Sequence, residues 1–449
     1  MITIDNLNLD CLELIFAYLS GNDLVSASLV NRSFLAGVIP RLYRSLVFRL
    51  NQAKRYPAIL SPFASVLAHP NLAGHVRRID IRTIPNTRSS VQPHFLLDCA
   101  RTIAICQNLV SFICTPPILS SFLPSLQQKW TLQYLRVNAN LTQEQAELLA
   151  TIRGLKSITL DGSPGTAHIV NVLPRWVSLV KGTLRSLTLC AMHDLNACVL
   201  ESILRDLPEL IGLHVISCSI IDHITLLHLT EFTPKLESLS FTTYESPPPL
   251  GLLPPLRRLK HLAVDCRCMV NPSATPALWT SLIAQTRLWS APLTSFTLKL
   301  SDRLLVSETF IKDMLDAHAS TLAHFALINA VISNEGLSAI CSRCADLERL
   351  VITIPKGICP FAMALSASNS LRVLVDPGES HSSHGRHSYV SKHNILTIMQ
   401  YAPRLEKVIA DRRVWSRPMR FSEQHRVCPE RQKPSSVHWF MPPSQGMDA

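Results

Sequence analysis

Cys341-Ser-Arg-Cys344 is the one Cys-x-x-Cys in the chain, and thiolates at that spacing can hold zinc when a second pair of ligands stands nearby. No second pair follows at zinc spacing, and both cysteines fall in a stretch of helical periodicity, so they read as buried thiols. Cys266-Arg-Cys268 is a weaker signal still. His381, His384 and His387 stand in the polar run 377–392, where imidazoles on a loop can bind metal adventitiously. Gly accounts for only 14 of 449 residues, and no glycine loop of the phosphate-cradling kind is present. Ser-His-Asp combinations can be chosen at will and have no spacing that sets one apart. The sequence therefore names no catalytic residue, no metal site and no cofactor, and the chain is expected to act by binding.

Binding needs a surface, and a recurrent pattern supplies one. Segments of the form apolar-x-x-apolar-x-apolar begin at Val76, Leu109, Leu132, Leu155, Leu184, Leu210, Leu236, Leu259, Leu293, Leu322, Leu347, Leu371 and Leu405. Most successive offsets fall within the roughly 20 to 29 residues of a leucine-rich repeat. Leu184-Arg-Ser-Leu-Thr-Leu and Leu347-Glu-Arg-Leu-Val-Ile are good examples, each a short alternating strand. Helical patterns such as 196–207 and 333–344 lie between them. Parallel strands joined by helices must stack with the helices on one side, which predicts an irregular solenoid with a curved parallel sheet inside and helices outside. The Asn or Cys that usually closes the motif appears at Asn140 and Cys218 but not in most units, so unequal loops are expected. Strand alternation then places Arg136, His214, His261, Lys299, His324 and Arg349 on the concave face. Their charge suits an acidic or phosphorylated target segment.

Ahead of the repeats, Leu7-Asn-Leu-Asp-Cys-Leu-Glu-Leu-Ile-Phe-Ala-Tyr-Leu19 carries a capping residue, Asn8, followed by an apolar stripe of Leu12, Ile15, Phe16 and Leu19. A second run from Asn22 to Val30 starts a helix with Leu24 on its apolar face. A third, from Arg32 to Leu46, contains Gly37 and Pro40 and is expected to break into two short helices. So small a helical unit has too little core to stand comfortably alone.

These residues resemble an F-box. The orders Leu-Asn-x-Asp-x-Leu-x-x-Ile-Phe-x-Tyr-Leu, Asp-Leu-x-x-Ala-Ser-Leu-Val-Asn-Arg-Ser-Phe and Leu-Tyr-Arg-Ser-Leu carry the likeness over residues 7–48. Family members usually begin Leu-Pro, where this chain has Leu7-Asn8. The stretch 58–81 resembles the segment that joins box to repeats in many fungal F-box proteins. The resemblance implies that Leu7, Leu12, Ile15, Phe16, Leu19, Leu24, Val30 and Phe34 bind the linker subunit of a cullin-RING (SCF-type) ubiquitin ligase. It further implies that the repeats bind a target protein. The alternative is a repeat scaffold for protein interaction with no ligase attachment.

Composition fits a protein with a large continuous core: 47% of residues are hydrophobic and 17% charged. The 43 basic and 32 acidic residues give +11, a mild excess over this length that does not call for nucleic acid. Residues 1–31 have no Lys or Arg, unlike a secretory signal. The uncharged run 102–128 is broken by Pro116, Pro117 and Pro124 and does not suit a membrane span. Thirteen cysteines without a signal read as reduced thiols in the cytoplasm or nucleus. Pro-bearing interruptions at 245–255 and 271–276 are expected to be loops. The expected organisation is an F-box helical domain at 1–50, a helical connector at 51–75, the leucine-rich-repeat arc at 76–410 and a basic tail with Pro and Trp at 411–449.

Overall fold

The computed structural model describes residues 8–19, 21–87, 90–162, 165–244, 253–267, 275–378, 390–417, 428–432 and 438–442. Two compact units divide the chain, Met1–Leu207 and Pro208–Ala449.

The first unit opens on three helices, α1 (Leu9–Phe16), α2 (Asn22–Ser28) and α3 (Arg32–Leu42). Asn8 stands at the N-cap of α1 without a side-chain capping bond, whereas Asn31 caps α3 by accepting from the Phe34 amide at 2.8 Å. The expected break in the third run does not occur. Gly37 and Pro40 both lie inside the single helix α3. Gly37 is there because α1 crosses it closely: a Cβ at that position would stand 3.0 Å from the Phe16 ring and 3.2 Å from Leu12. Pro40 falls in the last turn, so the helix forgoes the one bond an N–H there would make to the Ala36 carbonyl and ends two residues later. The core of the bundle is Leu12, Phe16, Leu24 and Val38, with Leu19, Ala27, Phe34 and Leu42 against it. An edge-on contact of Phe16 with Phe34, centroids 5.2 Å apart, joins α1 to α3.

A parallel sheet follows. Its strands are β1 (Ser45–Phe48), β2 (Arg78–Ile81), β5 (Ser111–Cys114), β6 (Tyr134–Asn138), β7 (Ser157–Asp161) and β8 (Ser186–Cys190), each paired with the next. A separate antiparallel ribbon of β3 (Asn86–Thr87) and β4 (Ser90–Val91) interrupts the order. The sheet begins one strand earlier than the recurrences suggest. Leu46 and Phe48 alternate inward from the end of the box-like stretch and pair with Ile79 and Ile81. In the connector, Ser61 caps a helix at Pro62–Ala68 that buries Phe63 and Val66 and leaves Leu67 half-buried.

The second unit carries β9 (Gly212–Ile216), β10 (Ser238–Thr243), β11 (His261–Cys266), β12 (Ser295–Leu305), β13 (His324–Val331), β14 (Arg349–Val351), β15 (Val373–Val375) and β16 (Lys407–Ala410), parallel throughout. Two antiparallel strands, β17 (Arg413–Ser416) and β18 (Cys428–Arg431), then extend the sheet beyond β16. All thirteen recurrences are therefore strands, and the leading apolar residue of each is buried. Between strands run helices capped by side chains: Thr142, Asn196, Asp222, Ser307, Ser333 and Ser391 each accept a backbone N–H two or three residues into the helix. This is the mixed α/β leucine-rich-repeat architecture.

A side-chain ladder reinforces the stacking. Thr131, Thr183 and Thr321 donate their hydroxyls to Leu109, Leu155 and Leu293 carbonyls one repeat back, at 2.7, 2.9 and 2.7 Å, and Ser370 does the same to Leu347 at 3.1 Å. Thr321→Val keeps the volume and removes the donor. It is expected to lower the urea-unfolding free energy by about 1 kcal/mol, the ordinary net worth of such a bond.

Candidate functional site

The residues singled out by sequence fall on the helical bundle of the first unit and on the sheet, Arg136 in the first unit and the others in the second. On the helical bundle the apolar residues separate into two sets. Leu12, Phe16 and Leu24 are buried in the bundle itself, while Leu19 and Phe34 are half-buried against them. The eight residues expected to bind a partner thus divide: Leu12, Phe16 and Leu24 are taken up within the bundle, whereas Leu19 and Phe34 keep part of their surface open. Ile15 and Val30 do reach solvent, 50% and 62% exposed. Beside them stand Leu14 at 69%, Tyr18 at 91% and Leu29 at 82%, with Val25 and Leu35 also exposed. Leu7 lies outside the described residues. The missed members were marked in the sequence by excess: α1 reads LDCLELIF, with more apolar positions than one buried stripe can absorb. Seven large apolar side chains left exposed on so small a bundle are more than scattered surface residues require.

On the second unit, parallel register sets side chains in rows across the sheet. One row runs Ser238, His261, Ser295, His324, Arg349, and another runs His214, Ser240, Ala263. His214 and His261 are not open to a partner as expected, for both are buried. The cover is the chain's own segment His438–Pro442. The Phe440 carbonyl accepts from Ser240 Oγ at 2.9 Å and from His261 Nε2 at 2.8 Å. Burial pushes the His261 pKa down to about 4. Burial, then the neighbouring His261 and His438, hold His214 well below the usual histidine range, so both imidazoles are neutral. Lys299 stands 3.5 Å from Asp265 and 4.8 Å from the centre of the Trp439 ring. His324 and Arg349 are half-buried neighbours in register, and Arg349 has its pKa lowered by burial. In the first unit Arg136 is bonded to Asp161 at 2.7 Å. Sequence reasoning missed Ser240, Ser295 and Phe440; the aromatic pair Trp439-Phe440 in a polar tail was the available signal.

Cys341 and Cys344 are buried, and burial pushes their thiols up to about 12 and about 11, which keeps them protonated. Cys268, the three histidines of 377–392, and residues 245–252 and 271–274 of the interruptions lie outside the described residues. Among the described residues no group of three or more metal-ligating side chains occurs, and no helix is long and apolar enough to cross a membrane.

The short helices and the parallel strands that follow them have the architecture of an F-box-like bundle and a leucine-rich-repeat-like stack. Residues 4–36 match the F-box domain. Comparison with curated proteins gives no significant match, so nothing there assigns a fungal type. Among solved structures, the chain is similar to the leucine-rich repeat-containing protein LegL7 from Legionella pneumophila. That likeness has 13% identity over 67% of this chain and 92% of that one, with a TM-score of 0.38. The chain is also similar to a chain of the yeast Rad7 and Elc1 complex, at 11% identity over 79% and 94%, with a TM-score of 0.39.

Proposed function

We propose that this protein is the substrate-recognition subunit of a cullin-RING (SCF-type) ubiquitin ligase. Its F-box docks on the linker subunit, its repeats hold a target protein, and a separate conjugating enzyme supplies the chemistry. The observation that carries this reading is the exposed apolar set Leu14, Ile15, Tyr18, Leu29 and Val30 within the stretch that matches the F-box. A bundle already closed by Leu12, Phe16, Leu24 and Val38 gains nothing internally from these side chains, and their burial on another chain is favourable at about 1.5 to 3 kcal/mol each. No residue here need act on a bond, since holding the target near the conjugating enzyme raises its effective concentration. The role belongs to the cytoplasm or nucleus, where cysteines stay as free thiols.

Of the three cations expected to attract an acidic or phosphorylated target, Arg136 and Lys299 already face the carboxylates of Asp161 and Asp265. Their charge is largely neutralised at home, which favours a target that is not strongly anionic.

The test is capture of the linker subunit by the full chain. Ile15→Asp and Leu29→Asp change exposed positions, so folding stability should stay within about 0.5 kcal/mol of the parent. Linker affinity should fall about 30-fold for each. Capture unchanged in the double variant would remove the box face from the account, and no capture by the parent chain would leave an interaction scaffold without ligase attachment.

A further inference from the structure

We propose that the sheet face of β9–β12 is a binding groove for a peptide turn that presents an aromatic pair, and that the chain's own His438–Pro442 segment, a turn closed by the Met441 amide on the His438 carbonyl at 3.1 Å, occupies it as a displaceable internal ligand. The proposal rests on the reading of the repeats as the target-holding part, and it names the kind of target they hold.

The groove grips main chain and side chains by separate means. A single carbonyl, that of Phe440, takes two donors, Ser240 Oγ and His261 Nε2. This part of the grip is blind to sequence, because any residue offers a carbonyl. Selectivity comes from the rings. The Phe440 side chain is buried with its centroid 5.9 Å from the His214 ring, and Trp439 lies under the Lys299 ammonium. An aromatic pair with an accepting carbonyl at its second residue is what these contacts select.

The internal segment is an imperfect occupant, which follows from where the protons must sit. A carbonyl only accepts, so the one hydroxyl proton of Ser240 points at Phe440. Ser240 Oγ must then accept from His214 Nδ1, 2.8 Å away, which makes Nδ1 the protonated nitrogen of a neutral ring. His214 Nε2 is left as an acceptor, fully buried, with no hydrogen-bond partner among the described residues. A buried acceptor without a donor is costly, and a competing peptide that brings an N–H or O–H to it gains what the internal segment forgoes. By contrast His261 is satisfied on both nitrogens, accepting from Ser295 Oγ at 2.9 Å on Nδ1. The site thus keeps one unmet preference at its centre.

The experiment uses the full chain and a fluorescein-labelled synthetic peptide, Val-His-Trp-Phe-Met-Pro-Pro, copying residues 437–443. In fluorescence anisotropy, the Trp439→Ala, Phe440→Ala chain should bind the peptide at least tenfold more tightly than the parent, because its groove is vacated. Adding Ser240→Ala should erase that gain. Equal affinity in parent and variant would overturn the proposal. Should the variant fail to fold, the unaltered chain decides. Saturating unlabelled peptide should speed amide exchange in residues 438–442 while β9–β12 stay protected. Unchanged exchange, or loss of protection throughout those strands, would show a permanent part of the core. Neither readout contains the linker subunit, so failure of linker capture and failure of displacement are told apart.

Discussion

Lowering the pH from 7 to 4.5 should destabilise the second unit by about 4 kcal/mol or more, through histidines that are neutral in the fold and charged in the unfolded chain. Burial takes both His261 and His318 down to about 4 from an ordinary value of 6.5. His318 donates to Thr286 Oγ1 at 2.8 Å, whose own proton is given to the Ile283 carbonyl at 2.9 Å, a pair of bonds the neutral ring already satisfies. A depressed histidine pKa means the unfolded state binds more protons between pH 6.5 and 4. Stability is therefore complete above 6.5, falls as pH drops through that window, and levels off below the folded pKa. Each of the two groups contributes about 2 kcal/mol of the loss at pH 4.5, and His214, also depressed, adds to it. Urea-unfolding midpoints of the second unit across the range measure the effect, and His318→Gln should remove its share of the slope. A midpoint flat from pH 7 to 4.5 would mean that these rings already titrate freely in the folded protein.

Asp80→Ala should cost the first unit about 3 kcal/mol. Asp80 is fully buried on β2, and its Oδ2 takes Arg82 Nη2 at 2.9 Å, Arg82 Nε at 3.0 Å and Arg78 Nη2 at 3.3 Å. Deleting the carboxylate leaves two guanidiniums facing each other across a space lined by β1 and β5, whose Val47 and Ile113 pair with Asp80 in register. Both arginines keep some exposure, 14% and 20%, so part of their charge can turn to water. That places the expected loss at the lower end of the range for breaking a buried pair. The measurement is the unfolding free energy of the first unit in urea. A loss under about 0.5 kcal/mol would show the pair to be no better than a surface one.

Much of the repeat fold could be read from Leu spacing, because each strand must bury two or three apolar residues at fixed offsets and each helix starts on a side-chain cap. Ser333 and Asn196 stand where the patterns said a helix should begin. The start of the sheet was less visible, since Ser45–Phe48 follows Tyr43-Arg44 inside a box-like run and declares itself a strand only by pairing with β2. At the box, periodicity named the right helices but could not say which of Leu12, Leu14, Ile15 and Phe16 face inward. Helix rotation is settled by the neighbour, here the close crossing of α3 at Gly37, and that contact turns Leu12 and Phe16 in and Leu14 and Ile15 out.

The concave face shows the same division more sharply. Alternation along a strand is a local property with a period of two, so His214, His261 and Lys299 could be assigned to the sheet surface from residue order alone. Whether that surface meets water is not local. It depends on a segment about 200 residues further along the chain, whose carbonyl at Phe440 finds Ser240. Chain order thus specified the repeats, their caps and the greasy excess of the first helix, all of which arise from near neighbours. Occupancy of the face and the inward turn of the box core came from folding, because contacts between distant segments leave no periodic trace in either partner.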